Sequence, residues 1–568
     1  MTAVATSPGR SLLPAAMIPP ARVHVLRRKI TSNKLLWWLL PALALYLTAG
    51  ALLAFRYSSF NGDAQARTAN AYYVLFSRDP HLAAVGFVWN PLPSLSNLPV
   101  LLFSRVWPAL SERAFAGNIM SAIFMAGAVV QLRGMLADFR VRRSTATLIT
   151  VLFALHPMIV YYGGNGMSEA LFLFTLMGAT RHLLQYLHDR CTSELVRAGI
   201  WLAFAYYARN EAAAAIGFAG LVVLSTALVR ARGAPRSRAW AAVNDAVIFG
   251  LPPLFAFVSW AVASYMIVGH PFEQFSSEYG TSSQLSLMQA SGSLGASWGF
   301  AVKMAVLMAP LAVPAALFAT HKAIRRKDPR VLGALAILGG VLAFAVVAFA
   351  ERQTAGWFRY FISAAPLAAV LTGLCFADTA TVRPSRKSTG PRSRTWLRAA
   401  ATLAAVSVLV GASIAGAGVA MADPNIGREE HIHLAWIFRP AKVTDYADKG
   451  RFGHSVDIAR YLDGLHLPSG SIVTDTFDGC VPDIILASRH PHQFIITNDR
   501  DFKPILADPV SFKARYLLIP EPVGDGALDA TNRAYPGIYY TGAQIATKVR
   551  EFTGPGCGTF RLYAVNQA

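Results

Sequence analysis

Long apolar runs fill the first three quarters of the chain, and a mixture of helical and alternating patterns replaces them in the last quarter. Runs long enough to cross a bilayer as a helix, about 17 to 25 residues, fall near 35–55, 114–132, 145–162, 168–187, 195–209, 211–229, 244–268, 299–320, 331–349, 359–378 and 399–421. This spacing predicts about eleven transmembrane helices. From about 454 the texture changes: SVDIARYLDGL has the helical spacing of apolar residues, while SIVTDTF, HQFIITN, RYLLIPEP and FRLYAV read as short strands. Strands separated by helical stretches predict a small α/β layer domain. The expected organisation is an N-terminal segment 1–34, a polytopic α-helical membrane domain 35–421 with a long loop at 56–113, a linker 422–453 and an α/β domain 454–568.

Composition agrees with this division. The chain is 54% hydrophobic and 15% charged, against about a quarter charged in soluble domains. Its formal charge of +21 is no nucleic-acid signature, because the basic residues form short clusters between apolar runs rather than one stripe. They instead fix orientation, since short loops rich in Arg and Lys stay in the cytoplasm. Clusters at Arg133–Arg143, Arg190–Arg197, Arg230–Arg238, Lys322–Arg330 and Arg383–Arg398 mark every second loop. The N-terminal segment is thus expected inside, and loop 56–113 and the C-terminal domain outside. The first apolar run follows Arg27, Arg28, Lys29 and Lys34 without a cleavage-site pattern, so it is expected to remain as an anchor. An Ala- and Arg-rich usage suits a bacterial inner (plasma) membrane. Cys480 and Cys557 fall on the outer side, where disulfides persist, and are expected to pair; Cys191 and Cys375 fall at inner helix ends.

Charges at helix mouths are costly unless paired or wetted, which makes them functional candidates. Loop 56–113 carries Asp63, Arg67, Asp79 and His81 among aromatics. Glu169 opens a helix in NGMSEALFLF, Arg209 and Glu211 sit in the turn ARNEA, and Glu351, Arg352 and Arg359 lie in ERQTAGWFRYF. All are expected on the outer face. Glu169 and Glu211 also suit plain capping of a helix N-terminus. Arg359 can snorkel to headgroups, or bind a phosphate bidentately beside Trp357 and Tyr360. Asp475 and Asp478 follow a predicted strand end, where α/β folds place ligands, although a turn role is commoner there.

Asn61-Gly62-Asp63 soon after the first span, Ser168-Glu169-Ala170-Leu171-Phe172, the Arg-x-Glu turn Arg209–Glu211, and Arg359-Tyr360 leading to Pro366 together resemble the GT-C superfamily of membrane glycosyltransferases. The likeness spans most of 35–378 and is similar to the mannosyltransferase and arabinosyltransferase patterns. It implies a polyprenyl-phosphate sugar donor, an extracytoplasmic acceptor in the cell envelope (glycan, lipid or protein), and an inverting transfer. Asp63 is the expected base with Asp79 as alternate; Arg359, with Arg209 and Arg352, is expected on the donor phosphate. Glu169, Glu211 and His81 are further candidates. Many members carry two adjacent acids in the first loop, whereas Ala64 follows Asp63 here, and no His/Cys/Asp cluster has ligand spacing. No obligatory metal is therefore expected, with a divalent ion left open. The Ser- and Gly-rich stretch 269–298 is a candidate lid. Competing readings are a transporter or flippase, which would more often show internal repeats, and a non-catalytic scaffold for envelope precursors.

Overall fold

The computed structural model describes residues 32–231, 233–276, 294–377, 392–438 and 447–566. The candidate lid lies largely outside them, at 277–293. Among the described residues, seven helices are long and apolar enough to cross a membrane: Leu36–Tyr57, Phe115–Asp138, Ala212–Arg230, Pro235–Val268, Arg330–Ala350, Phe358–Cys375 and Trp396–Ala422. Two bent pairs, Arg143–Ala154 with Pro157–Gly164 and Leu294–Met308 with Ala312–Arg326, raise the number to as many as nine. The chain is a multi-pass membrane protein, and by length and apolar composition alone the expected count of eleven is not confirmed. The two remaining apolar windows are occupied by Glu169–Asp189 and Thr192–Ala208. The first carries charged residues at both ends and is mostly buried among other helices, and the second has only 17 residues.

Both broken spans are repaired at one place. A break frees backbone carbonyls that an apolar layer cannot hydrate, so side chains must satisfy them. Tyr46 Oη donates to the Ala154 carbonyl at 3.1 Å, and Ser413 Oγ donates to the Met308 carbonyl at 2.5 Å. His156, at the first break, meets the same Ser413 hydroxyl at 3.1 Å. The first span approaches Pro157–Gly164 closely because both contribute glycine: a Cβ on Gly50 would stand 2.8 Å from the Gly164 carbonyl oxygen.

Loop 56–113 is a folded layer. It contains the helix Gly62–Phe76, a 3₁₀ turn Leu82–Val85 and short helices Leu92–Leu95, Leu98–Leu101 and Ala109–Glu112. The C-terminal domain holds a five-stranded sheet: β1 (Ile472–Thr474), β2 (Phe494–Ile496), β3 (Tyr516–Pro520), β4 (Ala546–Gly554) and β5 (Gly558–Val565). Its order is β2-β1-β3-β5-β4, with β2, β1 and β3 parallel and β3, β5 and β4 antiparallel. Four of these strands coincide with the predicted ones. The fifth, β4, escaped because it is an edge strand whose side chains from Thr547 to Glu551 are exposed, so no apolar alternation marks it. Cys480 and Cys557 are bonded, with Cα atoms 5.7 Å apart.

One apolar core joins loop and domain. Phe60, Tyr72, Tyr73, Leu101 and Leu110 of the loop pack with Ile458, Leu462, Cys480, Ile484 and Phe494. At its rim Arg78 donates to Asp499 at 3.1 Å and pairs with Asp501, Arg500 donates to Asp79 at 2.9 Å, and Asn498 donates to the Ala84 carbonyl at 2.7 Å. The other face of the sheet has its own core around Val473, Ile495, Leu517 and Tyr563.

Candidate active site

The helix Gly62–Phe76 opens with its N-terminus at the end of the first span, which sets Asp63 in the first turn, where a carboxylate complements the helix dipole. Arg359 reaches the same point from the start of the span Phe358–Cys375. Its Nη2 donates to Asp63 Oδ2 at 2.8 Å, and its Nη1 donates to Glu429 Oε1 at 2.7 Å. Its Nε lies 3.7 Å from Glu169 Oε1. Arg209 links the other two carboxylates, donating to Glu169 at 2.6 Å and to Glu211 at 2.5 Å. Arg67, one turn after Asp63 on the same helix, stands 3.9 Å from its carboxylate. Four carboxylates, Asp63, Glu169, Glu211 and Glu429, thus face three guanidiniums, Arg67, Arg209 and Arg359.

Aromatic faces wall this cluster. Arg209 and Arg359 both stack over Tyr360, at 5.5 and 5.6 Å, Arg359 also approaches Trp357, and Arg67 covers Trp89 at 5.1 Å. Such contacts hold guanidiniums flat and partly dehydrated. Arg359 and Glu169 are buried, whereas the Asp63 side chain stays 35% exposed, so the carboxylate remains reachable from solvent. Burial raises the Asp63 carboxyl, but Arg359, Arg67 and Arg209 outweigh it and hold the group below the usual carboxylate range. Glu211 behaves alike: burial pushes it up and Arg209 more than reverses the push.

The structure brings together the candidates Asp63, Glu169, Glu211, Arg209 and Arg359. Glu169 and Glu211 do stand at helix starts, as capping requires, and both also bind Arg209. Asp79 and His81 go elsewhere. Asp79 is taken by Arg500 at the loop–domain junction, where that hydrogen bond holds its carboxyl at about 2, and His81 Nδ1 contacts the Asp79 carbonyl at 2.7 Å. Arg352 sits on an exposed turn with left-handed backbone, φ 59°. In the C-terminal domain Asp475 accepts from Phe477 N and Asp478 from Cys480 N, which are turn contacts, and Asp475 also accepts from Ala530 N, 55 positions away.

Sequence reasoning missed Glu429. It lies in 422–453, expected as a linker, where the short helix Arg428–His433 follows the last apolar span. Asn61 and Arg359 both donate to its Oε1, while its Oε2 is buried without a hydrogen-bond partner. Glu430 beside it is fully buried and accepts from Tyr162 Oη at 2.6 Å. Burial and the Glu429 charge push its carboxyl up to about 7. The available signal was the pair of acids in GREEH directly after a predicted span, on the same side as Asp63. Among the described residues no group of three or more His, Cys, Asp or Glu is placed to hold a metal ion.

No family model and no curated protein matches the sequence. Solved structures do. ArnT from Cupriavidus metallidurans bound to undecaprenyl phosphate superposes with a TM-score of 0.53 at 11% identity, covering 94% of this chain and 98% of that one. The same protein in the apo state gives 0.50 at 13% identity with the same coverage. At such identity the likeness shows the fold, and the fold is GT-C-like.

Proposed function

We propose that this protein is a membrane glycosyltransferase that moves a sugar from a polyprenyl phosphate to an acceptor hydroxyl on the side of the membrane bearing the C-terminal domain. That side is the extracytoplasmic face of the plasma membrane by the distribution of basic loops. The observation that carries the reading is the buried Arg359 guanidinium bridging Asp63 and Glu429 at a membrane face, with Arg209 and Arg67 beside it. The likeness to a protein crystallised with undecaprenyl phosphate supports this donor class.

The chemistry follows from the geometry. Arg359 and Arg209 bind the donor phosphate and stabilise it as it leaves. The acceptor oxygen forms a bond to the sugar's anomeric carbon as the bond from that carbon to the phosphate oxygen breaks, and the hydroxyl proton passes to Asp63. One displacement inverts the configuration. A carboxylate held low by guanidiniums is a weak base, and the anionic phosphate offsets the charge of Arg359, so donor binding restores the basicity of Asp63. The cluster already has one carboxylate more than it has guanidiniums, so the phosphate displaces Glu429 from Arg359.

The reading is tested by incubating purified protein with polyprenyl-phosphate sugars and following release of free polyprenyl phosphate. Release by the natural protein, lowered about 100- to 10,000-fold in Asp63→Asn, supports it. No turnover of any such donor favours a scaffold for envelope precursors, and full turnover in Asp63→Asn removes Asp63 as base.

A further inference from the structure

Loop 56–113 carries an apolar surface that the transfer chemistry leaves unused. After the helix Leu98–Leu101, whose Leu101 is fully buried, the chain turns outward. Leu102, Phe103, Val106 and Trp107 then expose 61%, 64%, 86% and 47% of their surface. Four large apolar residues within six positions of an otherwise folded layer form a patch, not scattered exposure.

The position of this patch is fixed by the first span. Trp107 stacks on Phe55 with ring centroids 6.4 Å apart, and Phe115 packs edge-on against both rings at 4.9 and 5.4 Å. Arg113 Nη1 donates to the Ala54 carbonyl at 2.9 Å, and its guanidinium covers the Phe55 ring at 5.6 Å. Phe55 and Leu52 are themselves 41% and 46% exposed on the terminal turns of that membrane-crossing helix. The loop patch therefore continues the lipid-facing side of the first span past its end. Arg105 lies within the turn over the Phe76 ring and Arg113 lies at its base over the Phe55 ring, so cations accompany the apolar side chains, and Trp107 supplies the amphipathic ring favoured at a membrane interface.

We infer that the turn Leu102–Trp107 inserts into the lipid leaflet on the side of the C-terminal domain, as an in-plane anchor for the loop layer. A monotopic contact of this kind gains from apolar burial and from attraction to anionic headgroups together. Because the loop shares a core with the C-terminal domain, the anchor also fixes that domain's height above the bilayer.

The test uses the full chain carrying Cys191→Ser, with a nitroxide on Val106→Cys, on Phe103→Cys or on the exposed Val523→Cys of the C-terminal domain. Each protein is reconstituted in phosphatidylethanolamine/phosphatidylglycerol vesicles. Labels at 106 and 103 should collide readily with oxygen and severalfold less often with a water-soluble nickel chelate than the label at 523. Free collision with the chelate at 106 and 103, equal to that at 523, would overturn the insertion. Shielding from both reagents would also overturn it, since a protein surface would then be the occupant.

Discussion

Arg359 makes close contact with two carboxylates, and the two play different parts. Asp63 is held on a helix whose next turn supplies Arg67, whereas Glu429 sits on a short helix beside a second, fully buried acid. Removing the charge of Glu429 while keeping its size should ease access of a phosphate to Arg359. Glu429→Gln is expected to bind polyprenyl phosphate about tenfold more tightly, a change of about 1.4 kcal/mol, in a titration with the detergent-solubilised lipid. Glu430 gives a pH dependence whose sign follows from its raised carboxyl. Its stabilising contribution is complete below the unfolded value of about 4.3, diminishes above it and is lost as pH rises through about 7. Melting curves should therefore show Glu430→Gln gaining on the natural protein as pH climbs from 5 to 8, and a constant difference would refute the buried acid. Glu169, Arg209, Glu211 and Arg359 could be singled out in the sequence because each borders an apolar run at a helix mouth, and Asp63 because it belongs to the Asn-Gly-Asp element soon after the first span. Glu429 could not be, since its place in the cluster comes from contacts with Arg359 and Asn61, 70 and 368 positions away.

At the level of elements, the junction between loop and C-terminal domain rests on Arg78 as well as on its apolar core. Asp499 is 1% exposed, and burial pushes its carboxyl up to about 6 although Arg78 pulls it down. Arg78→Ala leaves that acid without its cation, a loss of about 3 to 5 kcal/mol when the acid stays charged. A raised carboxyl stabilises the fold at low pH and loses its contribution as pH passes its folded value. The variant's C-terminal domain should thus be cut by protease much faster at pH 8 than at pH 5. Equal cutting at both would show that the pair contributes nothing to docking. The disulfide acts within the same domain: Cys480→Ser with Cys557→Ser should lose about 2 to 5 kcal/mol, seen as a lower denaturation midpoint of the domain. Short apolar runs and helical spacing revealed four strands and the helices, while the structure places Asp79 and His81 at the loop–domain junction, because sequence position cannot separate a site-facing acid from one facing a docked domain.

The whole molecule was legible as a membrane bundle with an α/β domain because apolar run length is set by bilayer thickness. The exact number of spans is less sharply defined, because a helix such as Glu169–Asp189 packs among other helices and carries charges at its ends, so apolar composition alone does not count it. Orientation is open to direct labelling: with Cys191→Ser, a cysteine at the exposed Lys327 should resist an impermeant thiol reagent in intact cells and one at Val523 should react. Arg359 as receiver of the donor phosphate and Asp63 as acceptor of the proton divide binding from chemistry. The most direct test of this division is mass-spectrometric measurement of polyprenyl phosphate retained by the purified natural protein, Asp63→Asn and Arg359→Ala. Natural levels are expected in Asp63→Asn and a loss in Arg359→Ala; equal retention in Arg359→Ala and the natural protein would show that Arg359 does not receive the phosphate.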